Sequence, residues 1–198
     1  WMQNWDSCAI RAHEEVWAGQ MSLPREIRVK KNRLYQKPVR EYESCLCNKV
    51  EYQGIRLDKT KGESQLGEIE GRTVDLNIKL HAANRENPYY KFTLYFAKKG
   101  NTYTSLSFRP YEGIIKIDRK FSGSRRAILH QRRMFVPESF EGDIKLRIVL
   151  DRYSCEIFVG EGEQTMTTAI YTEPGAKEIA FICDGEAVMD IVKHDVVI

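Results

Sequence analysis

The stretch Thr73-Val-Asp-Leu-Asn-Ile-Lys-Leu-His-Ala82 alternates without a break. Val74, Leu76, Ile78, Leu80 and Ala82 fall on one side, and Asp75, Asn77, Lys79 and His81 on the other. A period of two is the mark of a strand with one buried face; a helix needs apolar residues three and four apart. Phe92, Leu94 and Phe96 repeat the pattern, and Lys98-Lys-Gly-Asn101 then supplies turn chemistry. A polar-rich strand, Thr102 to Phe108, follows, then a short apolar run from Gly113 to Asp118. Lys145–Leu150 and Ser154–Val159 flank Asp151-Arg-Tyr153, which reads as a hairpin turn. Gln164–Tyr171, Glu178–Cys183 and Ala187–Val197 complete the set, with Gly160, Gly162, Pro174, Gly175 and Gly185 in the gaps. Many short strands at this spacing specify an all-β antiparallel sandwich or barrel and exclude a βαβ fold. Leu76, Ile78, Phe92, Leu94, Ile148 and Ile157 are the expected inward-facing residues. With 198 residues, such a domain buries roughly 70% of its unfolded surface, enough to fold without disulfides or metal.

The front of the chain differs. All three tryptophans, Trp1, Trp5 and Trp17, lie in the first seventeen residues, a concentration that suggests the edge of another domain. Glu26–Val29 and Arg33–Gln36, joined by Lys30-Lys-Asn32, read as a hairpin. Val39, Tyr42 and Leu46 share one face of a short helix, expected to act as a linker. Lys plus Arg number 31 against 28 Asp plus Glu, a net charge of +3 that calls for neither nucleic acid nor an anionic membrane. No run of about 18 apolar residues exists to form a transmembrane helix. The five cysteines (Cys8, Cys45, Cys47, Cys155, Cys183) are odd in number, and Cys45-x-Cys47 lacks zinc-knuckle spacing. Four scattered histidines add no ligand cluster, so no metal and no cofactor is expected. Reduced thiols and the lack of a visible signal peptide point to the cytoplasm, although the chain opens Trp1-Met2.

Two stretches carry a resemblance. The first is Trp1-Met-Gln-Asn-Trp5 with Gln20-Met-Ser-Leu-Pro-Arg-Glu26 and Asn32-Arg-Leu-Tyr-Gln-Lys-Pro-Val39; the second is Leu146 to Val159 with Thr165 to Tyr171. In order and spacing they resemble glycoside hydrolases of family thirty-two, the invertase, levanase and sucrose-6-phosphate hydrolase type. The resemblance implies a five-bladed β-propeller that carries the active site, a linker, and a C-terminal two-sheet antiparallel β-sandwich. On it, residues 1–39 are the remnant of the last blade, 40–50 the linker, and 51–198 the sandwich. The parent would be a retaining β-fructofuranosidase acting on sucrose, sucrose 6-phosphate or fructans.

The same resemblance implies that this chain holds no catalytic residue. Trp1-Met2-Gln3-Asn4 imitates the opening of the nucleophile motif Trp-Met-Asn-Asp-Pro-Asn-Gly, but Trp5 and Asp6 follow. Arg-Asp-Pro is absent, and the acid/base motif Glu-Cys occurs only reversed, as Cys155-Glu156. A retaining glycosidase needs two carboxyl groups about 5–5.5 Å apart, so the fragment alone is expected to be inactive. Trp5, with Asn4 beside it, is the implied sugar contact in the intact parent. The implied partners are the chain's own propeller and, in the parent, a sugar substrate. The sandwich is then expected to stabilise the propeller. Two other roles stay open: a fructan-binding module using Tyr89, Tyr90, Tyr95 and Tyr103, and a homo-oligomerisation surface. Arg25 and Glu26 are expected to pair across the blade. Arg125, Arg126, Arg132 and Arg133 read as a solvated loop or contact surface rather than a phosphate site. The hairpin strands are expected to fray, to pair again on the sandwich, or to pair with another chain.

Overall fold

The computed structural model describes residues 2, 16, 19–123 and 131–197. Thirteen strands account for nearly all of its regular structure. β1 (Arg25–Lys30) and β2 (Arg33–Pro38) form a separate two-stranded sheet. Their loop is Lys31-Asn32, both at positive φ (50° and 58°), the left-handed pair that a two-residue hairpin turn requires. The remaining strands are β3 (Leu46–Asp58), β4 (Val74–Ala82), β5 (Lys91–Lys99), β6 (Thr102–Arg109), β7 (Ile114–Asp118), β8 (Gln131–Phe135), β9 (Ile144–Asp151), β10 (Ser154–Val159), β11 (Gln164–Ala169), β12 (Glu178–Asp184) and β13 (Glu186–Val196). They form two antiparallel sheets, ordered β11-β10-β9-β4-β13-β3 and β12-β5-β6-β7-β8. The fold is the expected two-sheet β-sandwich.

The core lies between the sheets and follows the alternation. Leu76, Ile78, Phe92, Leu94, Ile148 and Ile157 are each at most 1% exposed. Phe92 stacks on Phe181 across the β5–β12 pair, at 6.4 Å between ring centres. Each such side chain contributes about 1.5–3 kcal/mol by leaving water.

Two strands depart from the sequence reading. β3 runs thirteen residues, yet shows no clean alternation. Asn48 and Gly54 adopt positive φ, and the register with β13 slips beside each of them. Each bulge inverts the parity, so Val50 and Tyr52 face the core before Gly54 and Ile55 and Leu57 after it. β8 falls in what reads as a basic loop. It closes the edge of the five-stranded sheet with Arg132 and Arg133 exposed, a charge placement that discourages edge-to-edge pairing. Arg125 and Arg126 lie outside the described residues.

Candidate functional site

The outer face of the six-stranded sheet holds the functional candidate, because strand parity places unusual residues there. On β10, Cys155, Ile157 and Val159 point into the sandwich, so Glu156 and Phe158 point outward. Both are nevertheless buried. The hairpin covers them. Glu156 Oε2 accepts from Arg25 Nη2 at 2.5 Å, and its Oε1 accepts from the Leu23 backbone N–H at 2.5 Å. The same guanidinium donates through Nη1 to Gln36 Oε1 and Thr165 Oγ1, both at 3.1 Å. It also lies 5.0 Å from the centre of the Phe158 ring. One arginine of the hairpin is thus tied to β10, β11 and β2 at once. The backbone adds to the clamp: Gln36 N–H donates to Gly162 O at 3.0 Å, and Lys37 pairs with Glu161 at 2.5 Å.

A second cluster continues across the sheet. The chain enters it through a 3₁₀ turn, Arg40–Cys45, which buries Tyr42. Tyr42 packs with Val149, Phe158 and Val196, and Leu23, Val39 and Leu46 lie against them. The short helix expected over Val39–Leu46 is therefore this turn, and Val39, Tyr42 and Leu46 do share one apolar contact. Arg147 sits 5.5 Å from the Tyr42 ring centre and holds two carboxylates, Asp75 at 2.8 Å and Glu43 at 2.7 Å. Asn77 Nδ2 donates to the other Asp75 oxygen at 2.8 Å. Burial pushes the Asp75 carboxyl above its ordinary value, and Arg147 opposes that push. Burial likewise works against the Arg147 charge, but Glu43 and Asp75 outweigh it and hold its pKa above the usual value.

This arrangement fastens; it does not expose a reactive group. Both Glu156 oxygens and both Asp75 oxygens are engaged by donors. Burial raises the Cys155 thiol far above its normal range and pushes Cys183 up to about 12, so neither forms a ready thiolate. Among the described residues no group of three or more His, Cys, Asp or Glu side chains is placed to hold a metal.

The sequence-chosen sugar contacts, Trp5 and Asn4, lie outside the described residues, as do Trp1 and Trp17. Arg25 and Glu26 do not pair with each other: Arg25 points to the sandwich, while Glu26 pairs with Arg28 and Arg40 at the surface. Neighbouring strand residues face opposite ways, which sends Arg25 and Glu26 to different faces of the hairpin and rules out the expected pair. Of the four tyrosines, Tyr89 is a core residue whose hydroxyl donates to Gly142 O at 2.8 Å. Tyr90 packs beside Arg109. Tyr95 and Tyr103 meet edge to face at 4.9 Å, with Phe121 beside Tyr103. Those rings cover one another and offer no flat pair to a sugar. Sequence reasoning missed Glu156, Asp75 and Arg147 as a connected site. The available signal was Glu156 itself, one charge inside the apolar run Cys-Glu-Ile-Phe-Val.

A β-sandwich that carries a hairpin of a second β-structure on the outer face of its larger sheet is a known architecture. The exo-inulinase from Aspergillus awamori shares it with a TM-score of 0.80 and 19% identity, over 100% of this chain and 39% of that one. Fructan 1-exohydrolase IIa from Cichorium intybus matches with a TM-score of 0.75 and 18% identity, over 91% of this chain and 41% of that one. The family model for the glycosyl hydrolases family 32 C terminal matches residues 41–197, and that for the glycosyl hydrolases family 32 N-terminal domain matches residues 1–38. The chain belongs to glycoside hydrolase family 32 and represents its C-terminal portion. It is 28% identical to raffinose invertase of Escherichia coli over 96% of this chain, and 26% identical to sucrose-6-phosphate hydrolase of Escherichia coli over the same share. It spans 37% of the length of either relative.

Proposed function

We propose that this chain is the brace of a β-fructofuranosidase-type enzyme, a sandwich that holds the last propeller blade in place and performs no catalysis itself. The observation that carries this reading is the Arg25–Glu156 clamp. The hairpin is gripped through one face only. Beyond the clamp, toward the turn, the same face presents Ile27, Val29 and Leu34 to solvent at 64%, 74% and 48% exposure. Val29 and Leu34 are direct cross-strand partners, so the three form one strip. Covering such a strip with further blade strands gains roughly 25 cal/mol per Å² of apolar area. A retaining mechanism in the parent would draw both carboxyl groups from propeller strands outside these 198 residues, because the buried carboxylates here are committed to arginines.

The test is fructose release from sucrose, sucrose 6-phosphate and a short fructan by the purified chain, with a calorimetric titration of the same samples. The expected result is no fructose release from any of the three and no heat of binding with sucrose or the fructan. Release above the blank would overturn the non-catalytic reading. Saturable binding of unphosphorylated fructan would replace the brace with a recognition module.

A further inference from the structure

Between the hairpin end and the outer face of the six-stranded sheet lies a pocket of about 290 Å³. Its lining includes Lys37, Lys79, Lys145 and Arg147, with Glu161 the one carboxylate among them. Two of these cations are already engaged: Lys37 by Glu161 at 2.5 Å, and Arg147 by Asp75 and Glu43. Lys79 and Lys145 are different. They are direct partners in the β4–β9 register and belong to the outward parity of both strands. Like charges directly opposite one another destabilise a sheet. Glu51 acts on Lys79 and Glu161 on Lys145 through charge alone, among the smaller of the effects on each carboxylate. Asp190, across from Lys79 on β13, accepts the Gly54 N–H at 2.9 Å, and Glu51 is paired with Lys49 at 2.5 Å. Among the described residues neither Lys79 nor Lys145 forms an ion pair.

We infer that this pocket binds a phosphate group, held between the Lys79 and Lys145 ammonium groups. Three features favour phosphate. A phosphate monoester carries about −1.5 to −2 charges at pH 7 and three acceptor oxygens, enough to bridge two ammonium groups. Lysine binds phosphate as a compact point charge and needs no planar fork. The pocket has the volume of a small-molecule site, and Phe158 and Pro38 give it an apolar wall for a carbon skeleton. The site stands on the sandwich and the hairpin together and does not depend on the bracing role.

The test is calorimetry and thermal denaturation of the chain with inorganic phosphate, glucose 6-phosphate, glucose, and sodium chloride at matched ionic strength. Saturable binding of both phosphate compounds is expected, with none of glucose or chloride. Tighter binding of glucose 6-phosphate assigns the site to phosphorylated small molecules; equal affinity assigns it to phosphate alone. Lys79→Gln and Lys145→Gln should each weaken binding about tenfold, the loss of one charge-assisted hydrogen bond. Each should also raise the ligand-free Tm by removing the lysine–lysine repulsion, while Lys120→Gln, outside the pocket, should leave the affinity unchanged. Stabilisation by chloride equal to that by phosphate would overturn the inference. So would affinities unchanged in both pocket variants.

Discussion

Glu156 has strictly apolar neighbours on both sides, and strand parity sends it the opposite way from Cys155 and Ile157. A carboxylate buried on a sheet's outer face is costly unless it is paired and hydrogen-bonded, and Arg25 with the Leu23 amide meets that need. Removing the charge leaves the Arg25 guanidinium, itself only 14% exposed, facing a neutral amide. Glu156→Gln should therefore cost about 2–3 kcal/mol. In a chain of this size that lowers Tm by about 4–12 °C. Faster amide exchange over residues 27–36 should accompany it, since those backbones depend on the clamp. Unchanged melting and exchange would show that the hairpin is held by something else.

At the scale of elements, the turn between β10 and β11 decides how the hairpin sits. Gly162 has φ of +95°, and a Cβ there would lie 2.0 Å from the Gln36 carbonyl oxygen, a backbone atom that cannot step aside. Gly162→Ala should break the Gln36–Gly162 hydrogen bond and destabilise the hairpin by about 2 kcal/mol or more. Gly54 supplies the control. Its φ is +64°, but nothing lies within 4 Å of a Cβ there. Gly54→Ala should cost only the backbone strain, about 1–2 kcal/mol. Urea denaturation of the two variants separates clash from strain. The elements legible in the sequence are those whose parity never changes, such as β4. The bulges at Asn48 and Gly54 hid β3, because two parity changes average its alternation away.

For the whole molecule, the carboxylates that the fold displaces from their ordinary pKa answer pH in two opposite directions. Arg40 and Arg28 hold Glu26 below its ordinary 4.5, and Lys37 does the same for Glu161. Thr60 lowers Asp58 below 3.8. The stability these groups contribute is present above the ordinary range and is lost as pH falls through their depressed folded values. Asp75, raised by burial, behaves inversely. Its folded form keeps a proton that the unfolded chain has released, so its contribution declines as pH rises from 3.8 toward the folded value. Two outcomes are expected in urea titrations at stepped pH. The native chain should weaken on acidification below about pH 4. The stability difference between it and Asp75→Asn should shift against the native chain as pH rises above 3.8.

Fold class and the inward residues are legible along the chain because period-two patterning and turn residues act over a few neighbours, and the family resemblance is legible in short contiguous motifs. The tertiary structure decided what the outward face of β9 and β10 does. Arg25 and Glu156 are 131 residues apart, and Asp75 and Arg147 are 72 apart. Local pattern marks such residues only as polar positions on a strand. Which of them become a buried clamp, and which, like Lys79 and Lys145, are left facing one another, depends on strand order, register and where the hairpin lands.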